Sequence, residues 1–361
     1  MLETGARPLD SRQRLAQLAG ALRVSLTDLT GEPYPLDAPG LAEAQAGVPA
    51  LESALMETRI GDSALSEPRT LDELETIVQG PLDAARLKAD DAEKIAILPD
   101  LIAELHVYGR EERALRLLAV ACAEATYALR NLGQVPLAWI SAERAAEAAA
   151  LLGDPVVIGA AEFTRVHSRP TMGRGMARAS DAADNMPATL VENDVRAQEV
   201  YGMLRLTAAL AAHIRGDAAT ADVEAAEAAR IAAVHGERAN SWEYFGPANV
   251  SVWRTTLAVE AGHPKRALEY AAAVDMAALP WPGRRAALSL DVARAHHQLG
   301  RDHHRQAVTA LRQAELAAPV RIRASSWARD LVEVMLVQSR KEAGGRELRG
   351  LAYRMGLDAS Q

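Results

Sequence analysis

Four histidines, His296, His297, His303 and His304, flank the turn Leu299-Gly300-Arg301-Asp302, and clustered imidazoles raise the question of a metal first. Zinc takes three or four converging ligands held by a hydrogen-bonded surround. Only Asp302 lies at a useful spacing to complete the set, so these are read as solvated turn histidines and no metal is assigned. Asp90 and Asp91 are adjacent, which on a helix points the two carboxylates in different directions. Cys122 is the single cysteine, so an internal disulfide and a cysteine-based zinc site are excluded, and it reads as a buried small hydrophobe. The chain has no nucleophile elbow, GxxxxGK[ST], GxGxxG or HExxH pattern. MGRGMAR carries two glycines and no preceding strand, a poor phosphate cradle. No catalytic residue and no cofactor follow, and an enzyme is not expected.

The residue types best suited to recognition lie in NSWEYFGPANVSVWRTTLAVEAG, residues 240–262. Aromatic residues make up only 4% of the chain, yet Trp242, Tyr244, Phe245 and Trp253 gather here. Gly246-Pro247 interrupts the stretch, and Asn249, Trp253 and Thr256 then recur on one helical face. Such a face can line an inner groove, where an asparagine reads a peptide backbone or a small polar ligand. It can equally plug the core where helical units change pitch. Tyr201 and Arg205, four apart on VYGMLRLTAALAA, are candidates for the same groove. The groove set is therefore Tyr201, Arg205, Trp242, Phe245, Asn249 and Trp253.

The elements that must position these residues are helices. Alanine, leucine, glutamate and arginine dominate, and phenylalanine occurs twice, a composition that favours closely packed helices over a sheet. From about residue 71 to 340 the pattern is helix, short turn, helix. Turns are marked by LGQVP, LGDP, MGRG, RGD, HGE, AGHP and LGRD, where glycine ends one helix and aspartate or proline suits the next start. Gly133, Gly173, Gly216, Gly262 and Gly300 recur at a drifting period of roughly 40 residues, which signals stacked two-helix units. In VARAHHQLGRDHHRQAVTALRQAELAAP, small Ala307 and Ala314 let two helices approach, Leu311 fills the groove, and Pro319 ends the helix. Ala267, Ala271 and Pro280 form a weaker copy, and a plain helical bundle remains the other reading.

The 361 residues fit one extended repeat domain, and the net charge of −8 provides no overall field for nucleic acid. Basic residues concentrate at 321–330 and 338–354, where helix ends alone can account for many of them. Neither a basic-then-apolar leader nor a run of about 18 apolar residues is present, so a soluble, cytoplasmic protein with no membrane partner is expected.

At the N-terminus, Leu15, Leu18, Ala19 and Leu22 mark one face of a helix over 11–22. Ser25 with Asp28 forms a capping pattern for a second short helix holding Leu26 and Leu29, stopped by Gly31, Pro33 and Pro35. LETGARPLDSR, this leucine-rich helix and ALRVSLTDLTG together resemble the end of the XRE (Cro/C1-type) helix-turn-helix over residues 2–31. In that family Leu-Glu-x-Gly closes the recognition helix, so the chain is expected to hold only the later, bracing helices. The resemblance places Arg7 and Arg12 near the DNA backbone, and only when a complete module supplies the missing helices. The stretch W-x-x-F-G-P-x-N-V and the closing GRELRGLAYRMG resemble the sensor region of actinobacterial XRE regulators with tetratricopeptide-like repeats, over most of 71–357.

The expected architecture is all-α: a partial helix-turn-helix over 1–35, a connector with one helix over 36–70, and a tetratricopeptide-like array of about five hairpins over 71–361. The resemblance implies a transcriptional regulator whose repeats bind a small molecule or peptide and support a homodimer, with DNA reached only through a complete helix-turn-helix. The alternative is a protein-interaction scaffold with no role in transcription.

Overall fold

The computed structural model describes residues 11–22, 29, 41–62, 67–168, 174–323, 325–339 and 345–357. Every regular element among them is helical, and none contains a strand. No helix among the described residues is long and apolar enough to cross a membrane. The chain divides by packing into two compact units, one holding residues 40–208 and one holding 1–39 with 209–361. This partition follows contacts rather than the sequence characters that distinguish 1–35, 36–70 and 71–361.

In the unit of residues 40–208 the chain runs through α2 (Leu41–Ala46), α3 (Val48–Glu57), α4 (Leu71–Ile77), a π-helical segment (Val78–Leu82), α5 (Asp83–Lys88) and α6 (Asp91–Val107). It continues through α7 (Glu112–Asn131), α8 (Val135–Leu152), α9 (Pro155–His167), α10 (Arg174–Asp184), α11 (Ala188–Asn193) and α12 (Val195–Ile214), whose last turns enter the other unit. Helix α1 (Arg12–Leu22) belongs to that other unit. The expected helix near Leu71 starts on a full capping box: Thr70 Oγ1 accepts from the Glu73 amide, and Thr70 N donates to Glu73 Oε2 at 2.8 Å. In α3, Leu51, Ala54 and Leu55 are buried as the periodicity requires, while Ile60 lies beyond the helix and is half-buried.

Helices α7 and α8 make the most extensive pairing in this unit, joined by a turn so short that they must run antiparallel. Ala138, Ala142, Ala145 and Ala149 of α8 and Ala121, Ala125 and Ala128 of α7 are all essentially inaccessible. Methyl side chains let the two backbones approach. Ser141 Oγ crosses between the helices to the Cys122 carbonyl at 2.7 Å. Cys122 is fully buried, as expected, and burial pushes its thiol up to about 12. Lys94 is buried and satisfied by Glu124 at 2.9 Å and Asp91 at 3.7 Å. Asp90, the other half of the carboxylate pair, caps α6 instead.

In the second unit α1 joins α13 (Ala218–His235), α14 (Pro247–Glu260), α15 (Pro264–Ala272), α16 (Pro282–Leu299), α17 (His304–Ala317), α18 (Pro319–Arg323), α19 (Ser326–Ser339) and α20 (Arg346–Arg354). The α16–α17 hairpin packs as the sequence asks: Ala307, Leu311 and Ala314 have no exposure and meet Ala286, Ala293, Leu331 and Met335 in one cluster. Pro319 follows the end of α17 and also opens α18. Of the five register glycines, Gly133, Gly216, Gly262 and Gly300 take positive φ, and Gly173 lies outside the described residues. Leu15 of α1 is buried but Leu22 is 60% exposed, so the N-terminal stripe is covered at one end only. The second N-terminal helix falls outside the described residues except for Leu29, which is helical.

Candidate functional site

Three of the register turns converge. Those at Gly216, Gly262 and Gly300 border one open cleft of about 980 Å³, within the second unit. Ser11, Gln13 and Arg14 from the start of α1 form another wall, and Val337 and Gln338 of α19 a further one. That volume suits a small organic ligand, for which clefts run to about 1,000 Å³. The first turn favours glycine because φ at Gly216 is +84°, and a Cβ there would also sit 3.0 Å from Gln13 Nε2 at the far end of a flexible side chain.

What holds α1 there is a buried charge network. The Arg12 amide and guanidinium donate to the two oxygens of Glu260 at 2.7 and 2.5 Å, and the Glu260 side chain has no exposure. Arg294 donates to Glu260 at 2.9 Å and to Asp291 at 2.7 Å, and Asp291 also accepts from Thr256 Oγ1 at 2.6 Å. Trp327 carries both cations on its ring, Arg12 at 5.2 Å and Arg294 at 5.1 Å. Burial alone would raise the Glu260 carboxyl. The charges of Arg12 and Arg294, with their hydrogen bonds, outweigh it and hold the group below the ordinary carboxylate range.

The cleft wall mixes apolar and polar groups. Arg14 and Arg301 line it, as do His213, His263, His297 and His304. Glu260 is the one carboxylate among the described lining residues, and its oxygens are already committed to two guanidinium groups. His213 Nε2 is buried and has no hydrogen-bond partner. Helices α15 and α17 begin at the cleft, at Pro264 and His304, and neither start has a side-chain cap.

The expected groove residues lie elsewhere. Phe245 has no exposure, Asn249 has 1% and Trp253 has 8%. Asn249 Nδ2 donates to the Glu243 carbonyl at 3.0 Å, and its Oδ1 accepts from Arg284. Arg284 also lies 5.8 Å from the centre of the Trp253 ring. Together with the Thr256–Asp291 bond, these contacts turn the shared face of Asn249, Trp253 and Thr256 onto α16. Glu243 and Tyr244 take left-handed φ of 48° and 61°, so the Asn249 amide fastens a strained turn. Glu237 completes the turn by accepting from the Ala248 amide at 2.5 Å, which leaves room only for glycine at 246. Trp242 is half-buried in this segment, and Tyr244 packs on Trp281 with ring centres 4.1 Å apart. The arrangement is that of interior packing.

Tyr201 and Arg205 belong to the unit of residues 40–208, where Arg205 lies 4.8 Å from the Tyr201 ring centre and pairs with Asp184 at 2.6 Å. Of the expected DNA-backbone residues, Arg7 lies outside the described residues and Arg12 is the partner of Glu260. His296 and His303 stack with Nδ1 atoms 3.3 Å apart, and no set of three or more ligand side chains placed to hold a metal occurs among the described residues. The C-terminal basic residues are partly structural: Arg323 and Arg354 both bind Glu315, at 2.9 and 2.6 Å.

Sequence reasoning missed Glu260, Arg294, His213 and Arg301. The signal present was the glycine register, which marks the turns that border the cleft. Comparison with protein-family models, with curated proteins and with solved structures finds no match to this chain.

Proposed function

We propose that this chain is a regulator of XRE type in which a tetratricopeptide-like helical body senses a small molecule or peptide, and in which α1 carries the signal toward a DNA-reading module. The observation that supports this most is the shared cleft. Its walls come from three hairpin turns of the body and from the first turn of α1, the helix that resembles a bracing element of the helix-turn-helix. A ligand there contacts sensor and effector segment at once, and its differential affinity for docked and released α1 would shift between the two states. The all-helical architecture, the positive-φ turn glycines and the alanine-lined α16–α17 hairpin support the repeat reading.

The test uses the intact chain and a cleft-filling variant. Ala218 is exposed at the cleft edge, so Ala218→Trp fills space without touching the core. Native mass spectrometry is expected to find a small molecule retained by the wild type and absent from Ala218→Trp, with equal helicity in both. Equal retention, or none in the wild type on gentle purification, would remove the sensor reading.

A further inference from the structure

Helix α1 is fastened at one end. Of its described side chains only Leu15 is buried, while Gln17, Ala21 and Leu22 are exposed. The deepest polar hold is Arg12, the first residue of the helix, whose amide and guanidinium both donate to Glu260. The seat that Arg12 occupies has the makings of an arginine receptor. Glu260 offers a fully buried carboxylate that takes a backbone N–H and a guanidinium together, and the Trp327 ring centre lies 5.2 Å from that guanidinium. A planar, weakly hydrated cation suits a carboxylate beside an indole better than a compact ammonium does. Glu260 also lines the cleft, so a ligand there reaches it.

The seat keeps a charge partner without Arg12. Arg294 stays on Glu260 at 2.9 Å and on Asp291 at 2.7 Å. Withdrawing the sole partner of a buried charge is strongly destabilising, and here the partner is not sole. Arg12, with 22% of its side chain exposed, is the exchangeable member, and Arg294, with 5%, is the standing one. Glu260 is thus paired whether α1 is docked or released, which lets a ligand choose between the two states.

We infer that Glu260 and Trp327 form a recognition site for an arginine residue, occupied in cis by Arg12 and open to an arginine of a ligand that enters the cleft. This rests on the sensor reading and names the group the sensor recognises. Competition for one carboxylate is the means by which a ligand in the cleft displaces α1.

N-acetyl-argininamide carries the same backbone N–H and guanidinium as Arg12 and no carboxylate, and N-acetyl-lysinamide is its ammonium counterpart. Isothermal titration of the intact chain to about 10 mM covers millimolar dissociation constants. Arg12→Ala is expected to bind the arginine compound at least about tenfold more tightly than the wild type, whose own arginine competes, and to prefer it to the lysine compound. Trp327→Leu in the Arg12→Ala chain is expected to weaken that binding several-fold. Circular dichroism checks that each variant keeps wild-type helicity. In the wild type the arginine compound should speed hydrogen exchange at residues 11–22, and the lysine compound should not. Absence of saturable heat in a folded Arg12→Ala overturns the inference, as do equal affinities in the two chains, equal binding of the two compounds, or α1 exchange that responds to neither. Should Arg12→Ala lose helicity, the wild-type exchange decides alone. A co-purifying molecule displaced by Ala218→Trp, with no binding of the arginine compound, would retire the arginine site while leaving the sensor reading in place.

Discussion

Glu260 is the residue on which the placement of α1 turns. It is fully buried and accepts from two arginines, one 248 residues away in sequence. Removing one side of a buried ion pair leaves the other charge unsolvated and costs about 3–5 kcal/mol. Glu260→Gln is therefore expected to lower the stability of this unit by several kcal/mol in urea titration, with Arg12→Ala milder because the Arg12 side chain is 22% exposed. The pH dependence has a defined sign. The folded carboxyl of Glu260 is held below its unfolded value, so its stabilisation is complete above about pH 4.3 and disappears as pH falls through the depressed value. Glu315 behaves likewise: burial raises it, but bonds from Arg354 and Arg323 hold it lower. Stability measured from pH 6 down to about 2 should thus fall less steeply in Glu260→Gln than in the wild type, yet still fall. Equal slopes would assign the acid response to other carboxylates. Cys122 offers a separate check. With its thiol at about 12 and fully buried, it should resist alkylation in the native protein and react on unfolding.

At the scale of elements, what local sequence controls was legible and what distant sequence controls was not. The Thr70 capping box, the buried face of α3 and the alanine positions of α17 follow from spacing within one helix. The turn glycines were legible for the same reason, since a left-handed residue is a local demand. The Arg12–Glu260–Arg294 network is not written in any local window, because its members meet only after the chain returns from α14 and α16 to α1. Arg12, expected to face DNA, serves this network. The aromatic stretch was located correctly as unusual, but periodicity cannot tell a face turned to a ligand from one turned to a neighbouring helix. Asn249 is fixed between the Glu243 carbonyl and Arg284, and that is a matter of tertiary packing. Two element-level outcomes follow. Thr70→Ala should destabilise by about 1 kcal/mol through loss of the cap, read by denaturant midpoint. Leu311→Ala, at a site with no exposure, should cost about 2–5 kcal/mol.

At the scale of the whole molecule, the short helix α1 is clamped to Glu260 beside the cleft of its unit. The net charge is −8, which gives no overall field for the phosphate backbone. Non-specific binding of this polypeptide to DNA should accordingly be weak. Tight retention of arbitrary-sequence DNA in a gel-shift titration at physiological salt would oppose that expectation.

The most direct test of the shared cleft compares hydrogen exchange of the wild-type chain with that of the cleft-filling Ala218→Trp. A shared cleft predicts that exchange at residues 11–22 of α1 and at the turns 215–217, 261–263 and 299–301 changes together. Changes confined to other segments, or to the turns with α1 unchanged, would contradict it.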